Sequence, residues 1–230
     1  NAVIVLNDAD IGKAVKDVAI GAFGSTGQRC TATSRVIIEK DIYDEFIEKL
    51  IIFTKELKVG NGSDPEIDVG PLSSFDQLEK VTEYIGLGVE QGAKILFGGH
   101  KLEGGIFDDG FYVEPTIFVD VDKDNIVAKE EIFGPVLVSF KSSDLSEALK
   151  ITNDVNFGLS SSIYTKDIKK AYEYINQVDT GMVHVNSPTL GGEVHLPFGG
   201  LKSSGVGHRE QGEEGFNFFS ELISVYIDHS

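Results

Sequence analysis

"SRVIIEKDIYDEFIEKLIIFTKEL", residues 34–57, changes its apolar period half-way along. Val36, Ile37 and Ile38 form a short β-branched run, the composition of a buried strand. After it Asp41 is placed to cap a helix, and Ile42, Phe46, Leu50 and Phe53 recur at helical spacing. A buried strand that runs straight into an amphipathic helix is the repeating unit of an α/β domain. Upstream, "DADIGKAVKDVAIGAFG" offers Asp8 or Asp10 as an N-cap, with Ile11, Ala14, Val15, Val18, Ala19 and Ala22 on one face.

Downstream the alternation continues. Residues 59–71 are rich in Gly, Asn, Asp and Pro and read as a loop, and a helix is expected over about 74–91. "KILFGG" (94–99), "PVLVSF" (135–140), "LSSSIYT" (159–165) and "GMVHVN" (181–186) read as strands. "GFYVEPTIFVDV" (110–121) is extended, with Pro115 marking an edge or a break. "SDLSEALKITN" (143–153) and "DIKKAYEYINQ" (167–177) read as helices. Residues 191–215 are glycine-rich without a period, a long structured loop, and "SELISVYID" (220–228) reads as a closing strand. The expected fold is therefore α/β, a mostly parallel sheet with flanking helices. One domain over residues 1–218 is expected, followed by a strand over 219–230 that leaves the body as an arm.

Composition narrows the function. With 20 Lys and Arg against 37 Asp and Glu, the formal charge of −17 opposes non-specific binding to nucleic acid. No apolar run approaches the roughly 20 residues of a membrane-spanning helix. The start, "NAVIVLNDAD", lacks the basic flank and cleavage site of a signal peptide. These features and a single cysteine point to a reducing, cytoplasmic setting. The only methionine is Met182, so a trimmed, processed or partial chain is expected.

That one cysteine, Cys30, lies in "FGSTGQRCT" (23–31). A lone thiol is a small buried filler, a metal ligand without cysteine partners, or a reactive group. Gly24 and Gly27 let backbone approach a ligand closely, while Gln28 and Arg29 place polar groups beside the sulfur. In open α/β sheets ligands bind at the carboxyl ends of the strands, and Cys30 is expected on a loop there. "GLGVEQG" (86–92) fails as a phosphate loop because its third glycine is one position late and it lies in a helical segment. His184, His195 and His208 are too irregularly placed for a zinc site, so no metal is expected.

"FGSTGQRCT" resembles the active-site cysteine signature of the aldehyde dehydrogenase superfamily. "KEEIFGPVLVSF" (129–140), "NDVNFGLSSSIYT" (153–165) and "LPFGGLKSSGVGHRE" (196–210) resemble that family's later motifs, in its order. The resemblance covers nearly the whole chain. It implies an NAD- or NADP-dependent oxidation of an aldehyde to a carboxylic acid, with Cys30 as nucleophile through a thiohemiacetal and a thioester. It implies that Glu131 bonds the nicotinamide ribose, with Phe133 packed near the ribose and ring. Gln77 and Lys80 correspond to positions near the adenosine ribose, although a solvated helix face explains that pair as well. Thr31 and Phe198 correspond to substrate-lining positions. "GQRCT", "NSPTLGGEVHLPFGG" and "GHRE" resemble branches acting on semialdehydes with a carboxylate tail, of the α-ketoglutaric semialdehyde type. Arg29 either pairs with that tail or forms a structural ion pair.

The resemblance begins after the family's nucleotide-binding domain. A separate N-terminal half is therefore implied, holding most of the dinucleotide, an amide for the oxyanion and a glutamate base. The fragment is expected to be inactive alone, and its closing strand implies a homo-oligomer. A CoA-acylating dehydrogenase, or a non-catalytic scaffold with a vestigial Cys30, stands as the alternative.

Overall fold

The computed structural model describes residues 1–230. In chain order it runs β1 (Ala2–Val5), α1 (Ile11–Phe23), β2 (Arg35–Glu39), α2 (Tyr43–Glu56), α3 (Phe75–Glu90) and β3 (Lys94–Phe97). Then come β4 (Lys101–Leu102), β5 (Tyr112–Val113), β6 (Thr116–Val119), α4 (Ile126–Lys129), β7 (Val136–Ser142) and α5 (Leu145–Asn153). The last third holds β8 (Phe157–Gly158), β9 (Ser160–Tyr164), α6 (Ile168–Gln177), β10 (Met182–Val185), β11 (Leu201–Lys202) and α7 (Gly212–Phe218).

Seven strands form one sheet in the order β10-β9-β1-β2-β7-β6-β3, parallel throughout except for antiparallel β3. The alternation of side chains across a strand explains the two cores. Ala2, Ile4 and Ile37 face the layer of α3, α5 and α6, where Leu78, Val81, Leu149 and Tyr174 bury them. Val3, Val5, Val36 and Ile38 face the layer of α1 and α2, against Val18, Phe23, Phe46 and Leu50. A sheet covered on both faces favours strands that are apolar along much of their length, as in β1 and the centre of β2. By contrast β9 buries Ser160, Ser161 and Ser162, whose hydroxyls are hydrogen-bonded.

Helix starts follow local chemistry. Asp10, Ser74 and Asp144 each accept a hydrogen bond from a first-turn amide of α1, α3 and α5, a contribution of about 1 kcal/mol each. Asp41 does not cap: a 3₁₀ turn over Lys40–Ile42 intervenes, and α2 begins after Ile42 without a side-chain cap. Pro115 does mark a break, between β5 and β6.

The closing strand expected over 220–228 is absent. Residues 220–230 have no regular structure, and Leu222 and Tyr226 are 105% and 94% exposed. A strand exists only where a neighbour completes its ladder, and this segment touches none. Conversely, "AVIV" at residues 2–5, to which the sequence reading assigned no structure, is a strand in the interior of the sheet. The long glycine-rich loop carries two short elements, β11 and α7.

One charged side chain lies at the bottom of the sheet. Arg35, only 6% exposed, donates from Nη1 to the Ile151 carbonyl (2.9 Å) and from Nη2 to that of Thr152 (2.9 Å). The guanidinium thereby satisfies last-turn carbonyls of α5, where the helix dipole favours a cation. Desolvation nevertheless lowers its pKa to about 10, partly countered by the Asp154 carboxylate.

Candidate active site

Cys30 sits on the segment that joins α1 to β2, and its side chain is exposed. A helix that returns to start a parallel strand delivers its loop to the amino end of the sheet. The cleft therefore lies at the amino ends of β1, β2, β7 and β9, not at the carboxyl ends. That corrects the expectation drawn from open α/β sheets. The cleft has a volume of about 280 Å³, and Cys30, Arg29, Glu131 and Phe133 line it together with Asn1 and Arg35.

The loop that carries Cys30 has an unusual backbone. Ser25, Thr26 and Gly27 follow one another with φ of 51°, 59° and 67°. For Ser and Thr that region costs energy and persists only where neighbours enforce it. Here the neighbours are plain. Thr26 Oγ1 donates to the Gly70 carbonyl (3.0 Å), and Gln28 Oε1 accepts from the Ser73 amide (2.9 Å). A Cβ on Gly27 would lie 2.1 Å from the Gly134 oxygen, so the loop rests directly on the backbone of "EEIFGP".

From the other side Asn1 holds the loop. Its Nδ2 donates to the carbonyls of Cys30 and Ala32 (2.8 Å each), and its Oδ1 accepts from the Ser160 amide of β9 (3.0 Å). Thr189, fully buried, donates to the Thr31 carbonyl (2.7 Å) and shares a hydrogen bond with Thr33. With the loop so fixed, the backbone N–H of Cys30 makes no hydrogen bond within the chain. It is a free donor next to an exposed thiol, an arrangement suited to receiving the oxygen of a tetrahedral adduct attached through that sulfur.

Glu131 is exposed and forms no ion pair, so both carboxylate oxygens remain open acceptors at the cleft. Phe133 is half-buried with φ of 59°, a strained position for a bulky residue. The side chain of Gln77 donates to the carbonyls of Ile132 and Phe133 (2.9 Å each), and Lys80 Nζ donates to that of Glu131 (2.9 Å). Gln77 and Lys80, three apart on α3, thus face the cleft loop from behind and do not line the cleft.

Arg29 is exposed, and its Nε donates to Ser25 Oγ (2.9 Å). No carboxylate pairs with it, which leaves both Nη groups free at the cleft. Thr31 is buried behind the loop, and Phe198 pairs through its backbone with Glu210, outside the cleft lining. His184 is half-buried on β10, where desolvation lowers its pKa. No three His, Cys, Asp or Glu side chains converge to hold a metal ion. Asn1, Arg35 and Thr189 carry no signal of their own in the sequence; Asn1 precedes β1 and Arg35 opens β2, and neither belongs to a motif of its own.

The profile described as "Aldehyde dehydrogenase family" matches residues 1–225. The chain belongs to the aldehyde dehydrogenase family. It is 45% identical over 227 residues to an α-ketoglutaric semialdehyde dehydrogenase of Bacillus subtilis, covering 99% of this chain and 46% of the relative. It is 41% identical to a betaine aldehyde dehydrogenase of Mesorhizobium japonicum, over 98% of this chain and 46% of the relative. Among solved structures, a betaine aldehyde dehydrogenase of Staphylococcus aureus in complex with NAD+ superposes with a TM-score of 0.92 at 33% identity, over 95% of this chain and 43% of that one. This aldehyde dehydrogenase chain spans about half the length of the relatives it matches. No helix is long and apolar enough to cross a membrane.

Proposed function

We propose that this chain is the catalytic portion of a cytoplasmic NAD(P)-dependent aldehyde dehydrogenase, with Cys30 as its nucleophile. The observation that carries the proposal is an exposed thiol beside a free backbone N–H, in a cleft that also holds an unpaired carboxylate and an aromatic ring. The Cys30 thiolate adds to the aldehyde carbon, and the carbonyl oxygen becomes an oxyanion that the Cys30 N–H receives. The nicotinamide cofactor, when bound, supplies the hydride acceptor. Loss of hydride from the former carbonyl carbon leaves a thioester on Cys30, and hydrolysis releases the acid and restores the thiol.

The cleft suits one end of that cofactor. Glu131 offers two acceptor oxygens to a ribose diol, and Phe133 offers a face for packing beside it. A space of about 280 Å³ lies at the small end for ligand sites and is too small for a whole dinucleotide. Most of the cofactor, the second oxyanion donor and the base for hydrolysis are assigned to a nucleotide-binding half. The isolated chain is expected to form no NADH with any aldehyde, and addition of that half restores formation. A steady rise in absorbance from the chain alone would refute this division of labour.

The substrate proposed is a semialdehyde with a carboxylate tail. The Bacillus subtilis relative supports it, and so do the four uncommitted Nη hydrogens of Arg29, which match a carboxylate bidentately. In the complete enzyme, Arg29→Ala is expected to lower kcat/KM for acidic semialdehydes about tenfold more than for neutral aldehydes of equal length, a typical worth for one charge-assisted pair. An equal loss on both classes would remove the assignment.

Residues 1–218 are proposed as the catalytic domain and 219–230 as an arm that pairs with a neighbouring subunit in a homo-oligomer. The apolar, uncovered side chains of Leu222, Ile223, Val225 and Tyr226 support that reading.

A further inference from the structure

Three segments around the cleft touch one another in a closed triangle. The first is the nucleophile loop, residues 24–31. The second is the loop Glu131–Gly134. The third is α3 with the Gly70–Ser74 turn that leads into it.

Each side of the triangle has its own contacts. Gln28 and Thr26 tie the nucleophile loop to the turn: Ser73 N–H donates to Gln28 Oε1 at 2.9 Å, Gln28 Nε2 donates to the Pro71 carbonyl at 3.4 Å, and Thr26 Oγ1 donates to that of Gly70. Gln77 and Lys80 tie α3 to the second loop through three carbonyls. Gly27 against Gly134 closes the third side, at a distance that excludes any side chain. Both loops carry non-glycine residues at positive φ, Ser25, Thr26 and Phe133, which keep that conformation only while neighbours hold it.

We propose that α3 is a strut that keeps the nucleophile loop and the Glu131–Phe133 loop in register, with Gln28 and Gln77 as positioning residues. A primary amide suits both places because it donates and accepts at once. Neither residue lines the cleft. Gln77 acts on Cys30 through two intermediaries: the second loop, which bears on Gly27, and α3 itself. The inference rests on the proposed function only in calling Cys30 the nucleophile; the mechanical coupling stands apart from it.

The test is reciprocal amide hydrogen exchange on the full chain. Gln77 makes its side-chain hydrogen bonds to Ile132 and Phe133 and none to residues 24–31. Gln77→Met is therefore expected to speed exchange at residues 24–31 about fivefold, with β9 unchanged, the scale of a lost side-chain hydrogen-bonded contact. Gln28→Met is expected to do the same at residues 131–134. Exchange that rises only in the segment each side chain directly contacts overturns the strut. If one variant loosens the whole chain, the other arm decides alone.

In the enzyme completed by its nucleotide-binding half, Gln28→Met lowers kcat with KM for the cofactor unchanged. An unaltered kcat overturns the positioning role. Absence of NADH formation in the unsubstituted complete enzyme would refute the functional reading and leave the exchange result to judge the strut.

Discussion

Cys30→Ala in the complete enzyme is expected to lower aldehyde-dependent NADH formation by about 10⁴-fold or more, the scale on which removal of a covalent nucleophile acts. Cofactor affinity should stay within about twofold, because the substitution removes one sulfur and leaves Glu131 and Phe133 in place. Steady-state rates with and without substitution, beside a cofactor titration, provide the measurement. Residual activity above a tenth of the original would eliminate the thioester route. The chain itself offers a companion observation: with one cysteine and that one exposed, iodoacetamide should add a single label, on Cys30.

Gly27→Ala is expected to destabilise the chain by about 3 kcal/mol or more, read as a lower midpoint in urea. Two costs add. At φ of 67° an L side chain is strained, and the new methyl would meet the Gly134 oxygen at 2.1 Å, the Gly134 carbonyl carbon at 2.5 Å and the Ala22 oxygen at 3.0 Å. All three are backbone atoms, so no side chain can swing aside. The Cys30 loop and the "EEIFGP" loop must separate, and Cys30 moves with them. Gly62→Ala is the control: nothing lies within 4 Å of its added methyl and its φ is not positive, so a change within about 0.5 kcal/mol is expected. A Gly27→Ala chain as stable as the control would mean that the two loops do not bear on each other as described.

Much of the architecture is legible in local chemistry. Asp10 announces its helix because a capping side chain acts on an amide three residues away, a distance that sequence displays directly, whereas Asp41 misleads because a 3₁₀ turn intervenes before α2. Val36–Ile38 announces a buried strand because a parallel sheet covered on both faces favours continuous apolar, β-branched runs. Cys30 is legible for a different reason. Its surroundings repeat a motif, and three further motifs follow in order.

Other features have no local signal. "AVIV" is too short for its period to separate strand from helix, and only the ladders with β2 and β9 on either side make it a strand. "SELISVYID" has the composition of a strand and no partner to make it one. Which end of the sheet carries the cleft depends on the direction in which α1 returns to β2, and the positions of Gln77 and Asn1 depend on contacts across 55 and 29 residues. Short-range interactions, capping, alternation and chain stiffness, belong to the sequence read alone and suffice for an α/β fold. The pairing order of the strands, the approach of Gly27 to Gly134 and the amides that brace the cleft arise only on folding, because each joins groups that the chain itself holds far apart.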